Sequence, residues 1–173
     1  VSVAADKFTD AVGNDNTVSN TYTWTYDSTV PTMTITSSTV SSGATTNTAA
    51  IALTFTSSES TTDFVANDIT ASGCSLGSLS GSGATYTATC TATSDGTPSI
   101  SVAANKFSDG VGNANSAASN TYTWTYDSTA VTMTISSSAV SSGASTNTAG
   151  IALTFTASEA TSDFASSDIT VSG

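Results

Sequence analysis

The stretch Ser19–Thr29, "SNTYTWTYDST", returns letter for letter at Ser119–Thr129 and holds both tryptophans of the chain. Its period is two. Tyr122, Trp124 and Tyr126 alternate with Thr121, Thr123 and Thr125, as in a strand that buries one face and shows the other to solvent. Aromatic residues at strand spacing fill a core, so the stretch reads as the last strand of a β-domain. The competing reading is a sugar-binding platform, which needs at least two coplanar rings in solvent.

The repeat extends outward from these eleven residues. "VAADKFTDAVGN" at 3–14 returns as "VAANKFSDGVGN" at 102–113, an offset of 99, and a one-residue insertion in the following loop makes it 100. That offset then holds: "SSGATTNTAAIALTFTSSESTTDFVANDITASG" at 41–73 returns as "SSGASTNTAGIALTFTASEATSDFASSDITVSG" at 141–173. A period of about 100 residues is too long for a solenoid turn and suits an autonomous β-sandwich.

Within one unit, alternation marks further strands. Met33 and Ile35 alternate with threonines, as do Ile51, Leu53 and Phe55, and Tyr86, Ala88 and Cys90. Ile100, Val102 and Ala104 form another strand, a third strand is expected near Asp68–Ala71 and a short fourth near Ser78. Clusters of Gly, Asn, Asp and Ser separate them, and no helix is expected. About seven strands in one hundred residues predict an all-β chain of immunoglobulin-like β-sandwich repeats in tandem.

Composition bounds the function. Thirteen acidic residues against two lysines, with no histidine or arginine, give a net charge of -11. Such a chain repels phosphate backbones and anionic lipid, so neither nucleic acid nor membrane insertion is expected, and divalent cations are the natural counter-charge. No run reaches the length of a membrane span and no signal peptide is present; the chain reads as lying downstream of any export signal. Serine and threonine make up about two-fifths of the residues, but they alternate with apolar ones, which argues for a folded chain.

Units that begin "YDST-PTMTI", carry "ALTFTSSE" and "DF-ANDI", and finish "SVAANKFSDGVGNANSAASNTYTW" resemble the bacterial-type Ig-like repeats of cell-surface adhesins and extracellular stalks. The most specific element is the Asp-x-x-Gly-Asn loop, here Asp10–Asn14 and Asp109–Asn113. The resemblance covers the whole chain. It implies an extracellular or cell-surface spacer or adhesion module, often calcium-bound, and no enzyme.

The site expectations follow from loop placement. In immunoglobulin topology the start of the first strand, the loop after the second strand and the loop of the last hairpin meet at one pole. That pole should gather Asp27 from the linker, Glu59 and Asp63 from the loop after the second strand, and Asp109 with Asn113 from the last loop. Five oxygen donors there suit calcium, which takes six to eight oxygens; the plainer alternative is acidic residues in solvated loops. Asp127, Glu159 and Asp163 repeat the pattern in the next unit, and Asp10 with Asn14 in the preceding one.

Cys74 and Cys90, the two cysteines, are expected to pair: one at the end of the third strand, one in "TYTATC". Two thiols without histidine give too few ligands for zinc. Gly73-Cys74-Ser75-Leu76-Gly77 matches the nucleophile-elbow pattern G-x-S-x-G, but the chain offers no histidine base. Rows of outward threonine are ordinary strand surface; O-linked glycans or an ice-binding array are the alternatives, and no N-glycosylation sequon occurs.

The domain expectation is a last-hairpin segment at 1–27, a complete repeat at 28–127 and the first three strands of another repeat at 128–173. Neither end segment can bury its apolar face alone. The expected context is therefore a longer periodic polypeptide or filament whose neighbouring Ig-like repeats complete the ends, with Trp24, Tyr26, Leu153 and Phe155 exposed otherwise. A structural spacer is the favoured function, and a binding module for sugar, ice or another cell the alternative.

Overall fold

Threonine at alternate positions gives each strand one apolar side, and the chain can bury that side only by facing two sheets against each other. The computed structural model describes residues 1–172. It divides into two units, Val1–Tyr126 and a second that begins at Asp127. In the first unit the strands are β1 (Met33–Thr36), β2 (Thr45–Thr46), β3 (Ala50–Thr61), β4 (Ile69–Ser72), β5 (Cys74–Leu76), β6 (Ser80–Ala92), β7 (Ser99–Val102), β8 (Tyr122–Thr123) and β9 (Thr125–Tyr126). One sheet has the order β1-β3-β6-β5 and the other β4-β7-β8, the two-sheet arrangement of an immunoglobulin-like sandwich.

Register puts the apolar residues inside. Ile35 lies opposite Phe55 and Phe55 opposite Tyr86, while Ile51 faces Cys90. The outward neighbours pair as Thr34–Thr56–Thr85 and Thr36–Thr54–Thr87, which leaves an uncharged threonine face. Against the inner face stand Ile69, Ile100, Val102 and Tyr122 of the second sheet, all buried.

The last strand is broken where the sequence predicts it continuous. Tyr122–Thr123 pairs antiparallel with β7, whereas Thr125–Tyr126 pairs in parallel with β2. Trp124, between them, is 0% exposed. One side chain thus sits where the strand leaves the β4-β7-β8 sheet and enters a separate two-stranded pair with β2. Asn120 fastens the same segment to the first strand: its Oδ1 accepts from Ile35 N at 2.7 Å and its Nδ2 donates to Ile35 O at 2.9 Å. Tyr122 donates its hydroxyl to Val40 O, and Gly43 N donates to Thr123 O.

Other boundaries also differ from expectation. Ala104 lies beyond the end of β7, and short 3₁₀ turns occupy Ala66–Asp68 and Ser166–Asp168. Cys74 opens β5 instead of closing the third strand, and Ser78 falls in the connection to β6. The chain crosses from β4 to β5 through the single residue Gly73, at φ +70°, where a Cβ would stand 3.3 Å from Pro98 Cα. Glycine alone adopts that turn without strain.

Residues 1–26 repeat the closing hairpin without an opposing sheet. Ser19 N donates to Val3 O as Ser119 N does to Val102 O, yet Trp24 is 68% exposed. In the second unit β10 (Met133–Ser136) pairs with β11 (Thr154–Ala157) in the register of β1 and β3. β11 has four residues where β3 has twelve. Residues 50–53 of β3 pair with β6 and not with β1, so a sheet with no counterpart of β6 keeps just the portion that β10 can hold. Leu153 and Tyr26 are exposed, whereas Phe155 is half-buried because Phe164 packs on it at 5.7 Å. Among the described residues no helix is long and apolar enough to cross a membrane.

Cys74 and Cys90 form a disulfide between neighbouring strands, with Cα atoms 5.8 Å apart. It closes a loop of 16 residues over the glycine-rich start of β6. In the chain-entropy account a loop of that size contributes about 3 kcal/mol. Reduction, or the double variant C74S/C90S, should therefore lower stability in urea by about 3 kcal/mol. An unchanged denaturation midpoint would show that the segment is held by β5–β6 pairing alone.

Candidate metal centre

β3 enters the pole of the sandwich with its alternation intact: Ile51, Leu53, Phe55, Ser57 and Thr61 are buried and their neighbours mostly exposed. Glu59 falls on the inward phase of this pattern. The structure thus places it in the strand, not in the loop the sequence reading assigned, and half-buries it. The same phase was visible in "FTSSEST" by counting on from Phe55, but serines carry no apolar signal to prolong the strand.

Asp109 reaches the site on the loop between β7 and β8. Phe64 lies beneath, with edge-on contacts to Tyr86 at 5.1 Å and Phe107 at 5.5 Å between ring centres. A backbone bridge joins Thr61 to Asp109 directly. Within its loop the Asp109 Oδ1 accepts from the N–H groups of Val111, Gly112 and Asn113 at 2.8–2.9 Å, and Oδ2 accepts from Asn113 Nδ2 at 2.8 Å. Asp27 arrives from the segment before β1, and Asn113 Nδ2 also donates to its carbonyl oxygen at 3.2 Å.

Carboxylate oxygens of Asp27, Glu59 and Asp109 lie within 4.8 Å of one another. Asp27 is exposed and Asp109 buried. The Oε1 atom of Glu59 is buried with no hydrogen-bond partner. A buried, unpartnered carboxylate oxygen facing two further carboxylates is costly unless a proton or a cation neutralises it. Three carboxylates, each able to bind through one or two oxygens, form a hard donor set that fits calcium, with water completing six to eight ligands.

The remaining sequence candidates do other work. Asp63 accepts from Ser108 N at 2.9 and 3.0 Å and from Ser108 Oγ at 2.8 Å, so it clasps the two polar loops together instead of joining the cluster. Asn113 acts through its amide nitrogen as a donor to Asp109 and Asp27. Asp10 and Asn14 form the same loop as Asp109 and Asn113, with Val12 N and Asn14 N on Oδ1 at 2.9 Å, but lie exposed. Asp127, Glu159 and Asp163 are not gathered into a cluster among the described residues. Asp127 Oδ1 accepts from Thr129 N, and the other two are exposed.

A residue the sequence reading missed holds the loop in place. Asn115 is fully buried; its Oδ1 accepts from Lys106 N at 2.7 Å and Phe107 N at 3.1 Å, and its Nδ2 donates to Ala103 O and Ala117 O. One amide thus satisfies four backbone groups. Its counterpart Asn16 makes the equivalent bonds with Lys7 N, Phe8 N and Ala4 O and a fourth to Thr17 O, one residue nearer than Ala117, so the signal was the recurrence of "GN-N" in both loops.

Two other readings meet the geometry here. Tyr122 and Trp124 are core residues, so the aromatic platform is not built in the complete domain. Ser75, the central residue of the G-x-S-x-G match, lies in β5 beside the disulfide-bonded Cys74, and the chain continues into β6, not into the helix a nucleophile elbow requires.

Electrostatics set the sign of the response to pH. Burial raises the pKa of Glu59, and Asp27 and Asp109 raise it further. Burial also pushes the Asp109 carboxyl up, but the Asn113 amide and the N–H groups of Asn113, Val111 and Gly112 outweigh it and leave the pKa below the ordinary value. Glu59 therefore contributes stability below the ordinary glutamate value of 4.5, lost as pH rises through its raised pKa; Asp109 contributes above 3.8, lost as pH falls through its lowered one. In chelator at about pH 7, E59Q should melt at a higher temperature than the parent, and the gap should close as pH falls below 4.5. An E59Q variant that melts lower at neutral pH would mean that Glu59 is not under charge stress.

A family model described as "Bacterial Ig-like domain" matches residues 27–126. No curated protein and no solved structure matches the chain. The matched span starts at the cluster residue Asp27 and ends at Tyr126, the last residue of the closing strand, so it takes in both sheets and the acidic pole. The chain therefore belongs to the bacterial Ig-like domain family.

Proposed function

We propose that the chain is a structural repeat of a bacterial surface protein, a spacer in a long extracellular fibre or adhesin, stiffened by calcium where the linker enters the domain. The observation that carries this reading is the cluster of Asp27, Glu59 and Asp109 with the unpartnered Glu59 oxygen. Asp27 precedes β1, Glu59 lies near the end of β3 and Asp109 lies between β7 and β8. A cation shared by all three ties the incoming chain to both sheets at once, so chain entry and domain fold become one rigid element.

The rest of the molecule fits a passive, exported part. The disulfide suits an oxidising compartment outside the cytosol. Acidic surface favours solubility and repels nucleic acid. The uncharged threonine face offers hydroxyls that could carry O-linked glycans, and the partners of the domain are neighbouring Ig-like repeats. We read the chain as non-enzymatic: among the described residues its acidic cluster is a set of like charges, and the sequence holds no histidine.

Calcium titration with thermal melting tests the proposal. A site occupied at one hundred times its dissociation constant stabilises by about 2.7 kcal/mol, or roughly 10 °C or more for a domain of this size. The parent should show that rise, magnesium should give less, and E59Q and D109N should lose most of it. A melting temperature indifferent to calcium and to chelator would refute the stiffening role.

A further inference from the structure

The chain enters the complete domain at Asp27 and leaves it at Tyr126, with further chain on both sides. Between those points the segment that follows the entry, Ile35–Thr46, is tied to the segment that precedes the exit, Asn120–Tyr126. Asn120 bonds both backbone groups of Ile35, Tyr122 donates its hydroxyl to Val40 O, and Gly43 N donates to Thr123 O at 2.8 Å. Thr123 N donates to Ser42 Oγ at 3.2 Å, Thr125 N donates to Ala44 O at 2.8 Å, and Thr45–Thr46 pairs in parallel with Thr125–Tyr126. The partners' numbers rise together. From 35 with 120 to 46 with 126, the two segments advance in the same direction along their whole contact.

Direction decides how such ties respond to tension. A pull from both sides drags the entry segment back toward Asp27 and the exit segment on past Tyr126, so two segments that advance together are drawn lengthwise past each other. Their bonds are then loaded all at once. Entry and exit segments running antiparallel would instead have both pulled ends on the same side, and their bonds would peel one at a time. We propose that Ile35–Thr46 and Asn120–Tyr126 form a shear clamp that bears tension across the domain. Trp124, 0% exposed between the bonded residues Thr123 and Thr125, keys the exit segment against sliding. Strands β3 to β7 all lie in the stretch of chain between Thr46 and Asn120, behind the clamp. Load passes from entry to exit through the ties and reaches that stretch when they fail.

The clamp and the disulfide then answer different stresses. Forced unfolding follows the barrier out of the folded state, so an interaction resists load in so far as it breaks on the way to that barrier. Cys74–Cys90 joins β5 to β6 behind the clamp; it resists denaturant and carries no tension until the ties are gone. Asn120 is the reverse case, a single side chain whose two bonds to Ile35 form the first tie met from the entry side. The inference deepens the spacer reading and rests on it for the source of the tension. The clamp itself is made of backbone and side-chain bonds and takes nothing from the cation. A bound cation would add a second path from Asp27 to Glu59 and Asp109, so the clamp is tested without one.

The test pulls single molecules of the 173-residue chain by tags at its two ends, at constant load and in chelator. The complete domain identifies itself: reduction frees the 16-residue loop of the disulfide and should lengthen its rupture step by about 50 Å. N120A removes both bonds to Ile35, and Y122F, the milder change, removes the bond to Val40. Each should shorten the lifetime under load, N120A by at least about tenfold, with the circular dichroism of the parent retained. The reduced parent and C74S/C90S should denature at lower urea than the oxidised parent yet hold the load as long. Lifetimes of N120A and Y122F equal to that of the parent, or a C74S/C90S chain that yields as early as N120A, would overturn the clamp. The calcium dependence of melting is read separately, so failure of the clamp is distinguishable from failure of the cation site.

Discussion

The domain depends on one short segment that ties its three-stranded sheet to the separate β2–β9 pair. Tyr122–Thr123 hydrogen-bonds to β7 and Thr125–Tyr126 to β2, with Trp124 buried at the crossing. β1, β3 and β6 of the four-stranded sheet have threonine on one side and aliphatic or aromatic residues on the other, so that sheet has no stable state without a cover. Asn120 is the alignment pin. By accepting from and donating to Ile35 it converts what would be side-chain packing of adjustable register into a fixed one, since a shift by one residue would turn the apolar set to solvent.

Closure at that end allows the opposite strain at the acidic pole. Glu59 continues the inward phase of β3, where an apolar residue would finish the core, and it meets Asp27 and Asp109 instead. The surrounding fold does not relax the conflict: Asp63 locks the adjacent loop through Ser108, Asn115 locks the loop from below, and the Phe64 cluster fixes the floor. A site held this rigidly can be stressed by repulsion without collapsing, which is the condition for a cation to gain affinity from pre-organisation. Asp109 keeps its charge through four donated hydrogen bonds, so the uncompensated burden falls on Glu59.

Period-two alternation made most strands readable, because Ile51, Leu53, Phe55 and Tyr86, Ala88, Cys90 carry an unambiguous inward phase. The topology and the cysteine pair followed from strand count and from the number of thiols. What stayed hidden has a common cause. The break at Trp124 and the clasp between Asp63 and Ser108 are decided by partners far away in sequence, with no local residue pattern to announce them. Asn115 is the instructive case between. Its side chain satisfies backbone groups between Ala103 and Ala117 of one loop, a local event, but nothing in the letter N separates a buried four-bond amide from a solvated one until the loop is drawn.

The internal repeat turns this distinction into an experiment already performed within one chain. The loops Asp10–Asn14 and Asp109–Asn113 make the same bonds although one is exposed and the other packed, so their shape is written in five residues. β3 and β11 share nearly the same letters, yet the second has a third of the length, because residues 151–153 have no strand to pair with. Turns here are local property and strands are relational property. A sequence in which the turns are self-sufficient and the strands are not will keep its apolar faces poised for whichever matching segment comes next, and that dependence is what lets identical letters serve as core at Trp124 and as surface at Trp24.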